Sequence, residues 1–331
     1  MMRQVAERSE VADGQMDRDR RGHVRRVLSR SAPALSERSS SVSARFASDT
    51  PAMRPLLVLD GDSLAHRAYH AVPSTVRDVS GAPANMIVGF ANMLLGLWQV
   101  ERPRTVLACW DTVGVPTWRH ELLPEYQSGR DFPADLVAQL DRLPELVAAS
   151  GFANAKQAGF EADDFLAAAV ATESRAGGTA VVVTSDRDAY QLVSAAVTVV
   201  RPIKGVFEVE RVGVAEVRER YGVEPVQVPD FIALRGDPSD RIPGARGIGP
   251  KKAAAILATH TTLEAVLESG LLASEASALR DYRHIATMRA DAPVPAVDDV
   301  SADWESAATL AEDWGLAALA GRLRDQARSD G

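Results

Sequence analysis

TAVVVTSDRD, residues 179–188, decides the reading of this chain: an apolar run of strand length, with no polar alternation, stops abruptly at Thr-Ser-Asp. A strand without a polar face is buried on both sides, the condition of a parallel sheet covered by helices. Working outward, LLVLD (56–60) and TVLACWD (105–111) repeat the pattern of a short apolar strand closing on an aspartate. Between these runs, residues 84–100 carry apolar side chains at helical spacing, residues 135–150 predict a helix, and residues 161–175 predict another opened by its acidic cluster. Strand, helix, strand repeated in this order predicts an α/β fold with a mostly parallel central sheet flanked by helices. It also sets any site outside the carboxyl ends of the strands.

Nine acidic residues stand where those strands or loops end or helices begin: Asp60, Asp111, Glu161, Asp163, Asp164, Asp186, Asp188, Asp237 and Asp240. A parallel sheet gathers them at one rim. Carboxylates crowded in this way repel unless cations sit between them. Oxygen-only ligands favour Mg2+ or Mn2+ over zinc, and two such ions about 4 Å apart are the standard device for in-line attack on a phosphodiester. Any single one of these residues reads more readily as a helix cap or a solvated turn residue. Five clusters, each ending an apolar strand or opening a helix, do not.

With 331 residues, 46% of them hydrophobic, the chain can bury a large core. No apolar run reaches the roughly 18–20 residues of a membrane span, and the N-terminus has no apolar h-region, so a cytoplasmic protein is expected. The lone Cys109, inside TVLACW, excludes an internal disulfide and reads as a buried thiol. The net charge of −8 looks wrong for a nucleic-acid partner, yet two bound divalent ions would offset about four of those negative charges. With lysine only at 156, 204, 251 and 252, phosphate contacts fall mostly to arginine forks.

Residues 1–54, rich in Arg and Ser and lacking apolar periodicity, read as a disordered tail, with Met53 as a possible true start. Residues 55–225 read as the core, and residues 113–133 mix Arg, Trp, Tyr, Pro and Gly without an amphipathic face, suiting a mobile lid or arch. Residues 226–290 contain VPDFIALRGDPSDRIPGARGIGPKKAAAIL, in which Gly-containing turns precede a helix opened by Pro250, Lys251 and Lys252. Gly247 and Gly249 let backbone approach a neighbour, and a helix N-terminus binds phosphate. The segment therefore reads as a helix-hairpin-helix grip on DNA backbone. Residues 291–331 form a helical extension expected to pack on the body.

These stretches together resemble the 5′ nuclease family, the flap endonucleases and the 5′→3′ exonuclease domain of bacterial DNA polymerase I. The resemblance spans about residues 56–289. It rests on LVLDGDSLAHRAYHA, GAPANMIVGFANML, WRHELLPEYQSGR, GFEADD, TSDRDAYQL and RGDPSDRIPGARGIGPKKAA. It implies a structure-specific 5′ nuclease acting on DNA in replication and repair, free-standing because no polymerase segment follows. Asp60, Asp111, Glu161 and Asp163 would hold the first metal. Asp186, Asp188 and Asp240, with Asp163 or Asp164 shared, would hold the second, and Asp237 would act through water. Arg119, Tyr126 and Arg130 fall in the family's arch, and Arg67 would contact backbone phosphate. Gly247, Gly249 and Lys251, with Lys252 beside them, would cradle duplex with the help of K+. Substrates would be 5′ flaps, nicked or gapped duplex or RNA-primed ends, bound by a monomer in the nucleoid region.

Two departures matter. The family usually carries Lys where this chain has Gln127, and an amide stabilises developing negative charge less well, so either turnover is slower or Arg130 compensates. An aromatic that stacks on a nucleobase is replaced by His66, a smaller ring. A PIN-type ribonuclease shares the sheet but lacks the segment 242–255, and a junction-binding protein without catalysis would have lost first-site carboxylates, none of which is missing here.

Overall fold

The computed structural model describes residues 54–128, 131–204 and 208–331. The expected tail up to residue 53, and Arg130, lie outside the described residues. Six strands, β1 (Leu56–Asp60), β2 (Thr105–Cys109), β3 (Ala153–Ala155), β4 (Ala180–Val183), β5 (Val197–Lys204) and β6 (Glu208–Val212), form one sheet in the order β3-β2-β1-β4-β5-β6. All pairings are parallel except β5 with β6. Alternation explains the unbroken apolar runs. Leu56 and Val58 of β1 belong to one core, Leu57 and Leu59 to the other, and Ala180/Val182 and Val181/Val183 of β4 divide the same way.

Helices α1 (Gly61–Ala71), α2 (Asn85–Glu101), α3 (Trp118–Leu122), α4 (Ala134–Leu140), α5 (Leu143–Ala149) and α6 (Ala162–Arg175) follow in the first two thirds of the chain. Then come α7 (Val214–Tyr221), α8 (Val228–Arg235), α9 (Pro250–His260), α10 (Leu263–Glu268), α11 (Ala276–Ala286), α12 (Trp304–Asp313) and α13 (Ala317–Asp330). The helix expected over residues 135–150 is two helices, because Pro144 sits in the first turn of α5. It has no N–H to continue the ladder of α4. Core residues of α6 and α8–α11 pack on one face of the sheet, and those of α1, α2, α4, α5, α12 and α13 on the other. Trp304, expected to pack on the body, is 1% exposed. Among the described residues no helix is long and apolar enough to cross a membrane.

β1 pairs with both β2 and β4, so the chain leaves the sheet centre in both directions at the same edge. That crossing opens a crevice beyond the strand ends. Asp60 is the last residue of β1, Asp111 follows β2 by two residues, Asp186 follows β4 by three, and Glu161 caps α6.

Candidate active site

The crevice is an open cleft of about 700 Å³ lined by Asp60, Asp62, Asp111, Glu161, Asp163 and Asp186. Local donors aim these carboxylates. Asp60 accepts from Ser63 N at 2.9 Å and from the Thr184 hydroxyl at 2.6 Å. Asp111 accepts from Ala162 N at 2.7 Å and its own N–H donates to Asp62 at 2.7 Å. The Thr117 hydroxyl donates to Glu161 Oε1 at 2.8 Å, and Tyr126 OH donates to Oε2 at 3.1 Å. Gly61 lies flat under Trp110, where a Cβ would stand 2.4 Å from the indole. A side chain at 61 would therefore displace Trp110 from beneath the cleft-lining Asp60 and Asp62 segment.

Burial and neighbouring charge both resist ionisation here. Burial, then Asp111 and Asp186, push the Asp60 carboxyl up to about 7 against its hydrogen bonds. Burial and Asp111 raise Asp62, and burial with Asp186 and Asp60 raises Asp163. A second group adjoins the first: burial and the charges of Asp186, Asp237 and Asp240 raise Asp188. Asp186 Oδ1 accepts from Asp188 N at 2.8 Å. Among the described residues no three of these side chains are already closed into a metal-ligand set; the oxygens of Asp60, Asp62, Asp111, Glu161 and Asp186 are turned to the donors just named. An ionised carboxylate has about four acceptor positions, so one or two such bonds leave capacity for a cation. An oxygen-only donor set with this mutual repulsion fits hard divalent ions.

Several expected roles change. Asp164 is fully buried and takes a fork from Arg119 (2.9 and 2.8 Å), together with the N–H groups of Glu161 at 3.2 Å and Arg289 at 3.0 Å. Its acceptors are occupied, so it is a pairing residue rather than a ligand. Arg119 is 2% exposed and also donates to Ile285 O at 3.0 Å, which removes it from any substrate. Burial opposes its charge, but Glu161 and Asp164 outweigh burial and raise its pKa. Tyr126 is 4% exposed and its hydroxyl is raised by burial and by Glu161. The segment expected as a mobile lid is therefore nailed down at both residues. Trp118 adds to this, its ring 4.9 Å from His284 with the Arg119 guanidinium 4.6 Å above it.

Arg67 donates to Ile203 O at the end of β5 and lies outside the cleft lining, where burial and Arg201 lower its pKa. Asp237 accepts from Arg235 at 3.0 Å and from Ser239 N at 2.9 Å, shaping its turn. Gln127 donates to Tyr126 OH at 2.9 Å and lines the cleft with His66. Gly247, Gly249, Lys251 and Lys252 are gathered elsewhere, on the connector and first turn of α9, where Lys252 donates to Gly247 O at 2.9 Å. Cys109 is buried and burial pushes its thiol well up, away from nucleophile chemistry. Sequence reasoning missed Asp62, although it stands two residues from Asp60 in the same VLDGD run, and it missed the hydroxyls of Thr184 and Thr117.

A parallel α/β core with an acidic cleft at its strand ends, continued by a helical region with a glycine-turn connector, is the class that fold and site define. Residues 55–222 match the family described as 5′-3′ exonuclease, N-terminal resolvase-like domain, and residues 223–306 match 5′-3′ exonuclease, C-terminal SAM fold. The chain belongs to the 5′-3′ exonuclease family. DNA polymerase I of Mycobacterium tuberculosis is 41% identical over 224 residues, 67% of this chain and 25% of that protein. A 5′-3′ exonuclease of Streptomyces coelicolor is 38% identical over 224 residues, 63% of this chain and 73% of that protein. The chain thus spans about a quarter of the length of the polymerase relatives it matches. The fold is shared with a bacteriophage T5 flap endonuclease in a pseudo-enzyme-product complex with DNA and metal ions (TM-score 0.61, 18% identity, 82% of this chain and 98% of that one). It is shared also with the catalytic core of Rad2 in complex with DNA substrate (TM-score 0.51, 16% identity, 79% and 88%).

Proposed function

We propose that this chain is a structure-specific 5′ nuclease that hydrolyses DNA phosphodiesters with two divalent cations, Mg2+ or Mn2+, acting from 5′ ends and on 5′ flaps in replication and repair. One observation carries the reading: Asp60, Asp111, Glu161, Asp163 and Asp186, which come from four separate segments, line one open cleft. Asp60, Asp111, Glu161 and Asp163 would hold one ion, and Asp186, Asp188 and Asp240 with Asp163 the other. Bound there, the ions supply Lewis acidity at the phosphoryl oxygens and acidify the attacking water.

The protein's own residues aim that machinery. Ser63 and Thr184 fix the Asp60 carboxylate, and Thr117 and Tyr126 hold one Glu161 oxygen each. Gln127 acts through Tyr126. Duplex backbone would rest on the N-terminus of α9, where Gly249 has no atom within 4 Å of a would-be Cβ, leaving room for a phosphate on the backbone N–H groups beside Lys251 and Lys252. K+ at this turn, monomeric action in the cytoplasm, and a division into a core (55–225), a helix-hairpin-helix region (226–290) and an extension (291–331) belong to the same proposal.

The test is incubation of the purified chain with end-labelled 5′-flap DNA, and with matching RNA, in Mn2+ or Mg2+. Metal-dependent cleavage of DNA leaving a 5′ phosphate supports the reading. No cleavage, or cleavage of RNA alone, overturns it.

A further inference from the structure

His120, at the third position of α3, lines the cleft and is half-buried. Its ring is held on two sides. Nδ1 accepts from Thr117 N at 3.1 Å, and the ring meets that of Tyr126 edge-on, with centroids 5.5 Å apart and planes at 89°. A backbone N–H can only donate, so Nδ1 carries no proton and the imidazole keeps its hydrogen on Nε2. The Thr117 hydroxyl also lies 3.3 Å from Nδ1, but it gives its own proton to Glu161 Oε1 and leaves that assignment undisturbed. Among the described residues nothing bonds Nε2.

That donor meets a need of the cleft. No lysine or arginine is among the described residues that line it. The Thr117 hydroxyl and the Gln127 amide, which line it as well, donate to Glu161 and to Tyr126 OH. A phosphodiester brought over the carboxylates presents anionic non-bridging oxygens, and an N–H already fixed in place binds such an oxygen more strongly than a neutral one. Its contribution grows as charge develops on the phosphoryl group. Because Thr117 ties down both the His120 ring and Glu161, one turn sets the spacing between this donor and a carboxylate assigned above to the first ion.

We propose that His120 contacts the substrate through its Nε2–H, which donates to a non-bridging oxygen of the scissile phosphate. The proposal rests on the nuclease reading above. His120 transfers no proton; it orients the phosphate and stabilises the charge that builds there as water attacks.

The experiment measures single-turnover cleavage of 5′-flap DNA across a Mn2+ titration by the full chain, His120→Asn and His120→Gln, with the melting temperature of each protein. The asparagine side chain can still accept from Thr117 N but stops short of the Nε2 position, whereas a glutamine amide N–H reaches it. His120→Asn slows cleavage at saturating Mn2+ about ten- to a hundredfold, the range of one hydrogen bond to a charged group. Its Mn2+ midpoint and melting temperature stay parental, and His120→Gln regains most of the lost rate. A role confined to holding Thr117, and through it Glu161, gives the reverse order, with His120→Asn at the parental rate and His120→Gln slow, and overturns the contact. A slow His120→Asn that added Mn2+ restores, or two variants equally slow, overturns it too. Should His120→Asn melt markedly lower, His120→Gln is compared with His120→Leu, similar in size and without a donor: a rate at least about tenfold higher in His120→Gln supports the contact, and a smaller difference overturns it. Each of these outcomes leaves the nuclease reading intact. A parent that cleaves no DNA in Mn2+ or Mg2+ removes both, and so separates the two failures.

Discussion

Asp163 and Asp164 are neighbours in sequence with opposite duties. One helix position rotates a side chain by about 100°, which turns Asp163 to the cleft and Asp164 into the protein, where Arg119 meets it fork to fork. Removing one partner of a buried ion pair strands the other, at about 3–5 kcal/mol. Arg119→Ala is therefore expected to lower unfolding stability by about 3–5 kcal/mol, read from urea midpoints and slopes. Asp163→Ala is expected to leave stability unchanged or higher, since burial already disfavours its charge, and to cut flap cleavage at least about a hundredfold with DNA binding retained. Equal stability losses in the two variants would mean that the duties are not divided this way. The string EADD shows three carboxylates at a helix start but not which one an arginine 45 positions upstream will claim, so this part of the site was illegible until the chain folded.

At the scale of elements, the connector between α8 and α9 contains glycines that look alike in GARGIG and behave differently. Gly244 has φ +74°, and a Cβ there would stand 2.3 Å from Gly236 N, backbone against backbone. Gly249 has φ −96° and open space around it. Gly244→Ala is expected to destabilise the chain by at least about 2 kcal/mol. Gly249→Ala is expected to cost less than about 1 kcal/mol as a poorer cap, yet to weaken binding of duplex DNA in a fluorescence-anisotropy titration, because its Cβ would occupy the room left for a phosphate. Unchanged affinity in Gly249→Ala would remove the N-terminus of α9 from the DNA surface. The strands β1, β2 and β4 and the start of α6 were legible because each is an unbroken apolar run or a capped periodic one. The break between α4 and α5 was missed, although Pro144 carried its signal. β3 was not, since three residues with two partly exposed carry no pattern, and neither was the antiparallel β6, whose EVERV is half exposed.

Across the whole molecule, the acidic cleft couples folding to pH. Asp60 keeps its proton up to about 7 when folded and releases it near 3.8 when unfolded. Between those values the unfolded chain binds fewer protons, so stability from this group is full below about 3.8 and falls as pH rises through about 7. Asp62, Asp163 and Asp188 shift in the same direction. Cations binding the ionised cluster should reverse the loss. The expected outcome is that Mn2+ raises the melting temperature more at pH 8 than at pH 5, and that Asp60→Asn shrinks the difference. A cation gain equal at both pH values would detach the raised carboxyls from cation binding.

The indole N–H groups of Trp98 and Trp304 both donate to the same oxygen of Asp330, each at 2.8 Å, in a ring cluster completed by Phe152. α13 thereby carries an optical reporter of its own seating. Two of the five tryptophans share one negative charge that arrives with that helix, so release of α13 strips a carboxylate from both fluorophores at once. In Asp330→Ala the emission maximum should shift while flap cleavage, whose cleft shares no residue with this cluster, stays at the parental rate. The colour of this protein's fluorescence thus follows the seating of α13 on the core it shares with α2 and α12.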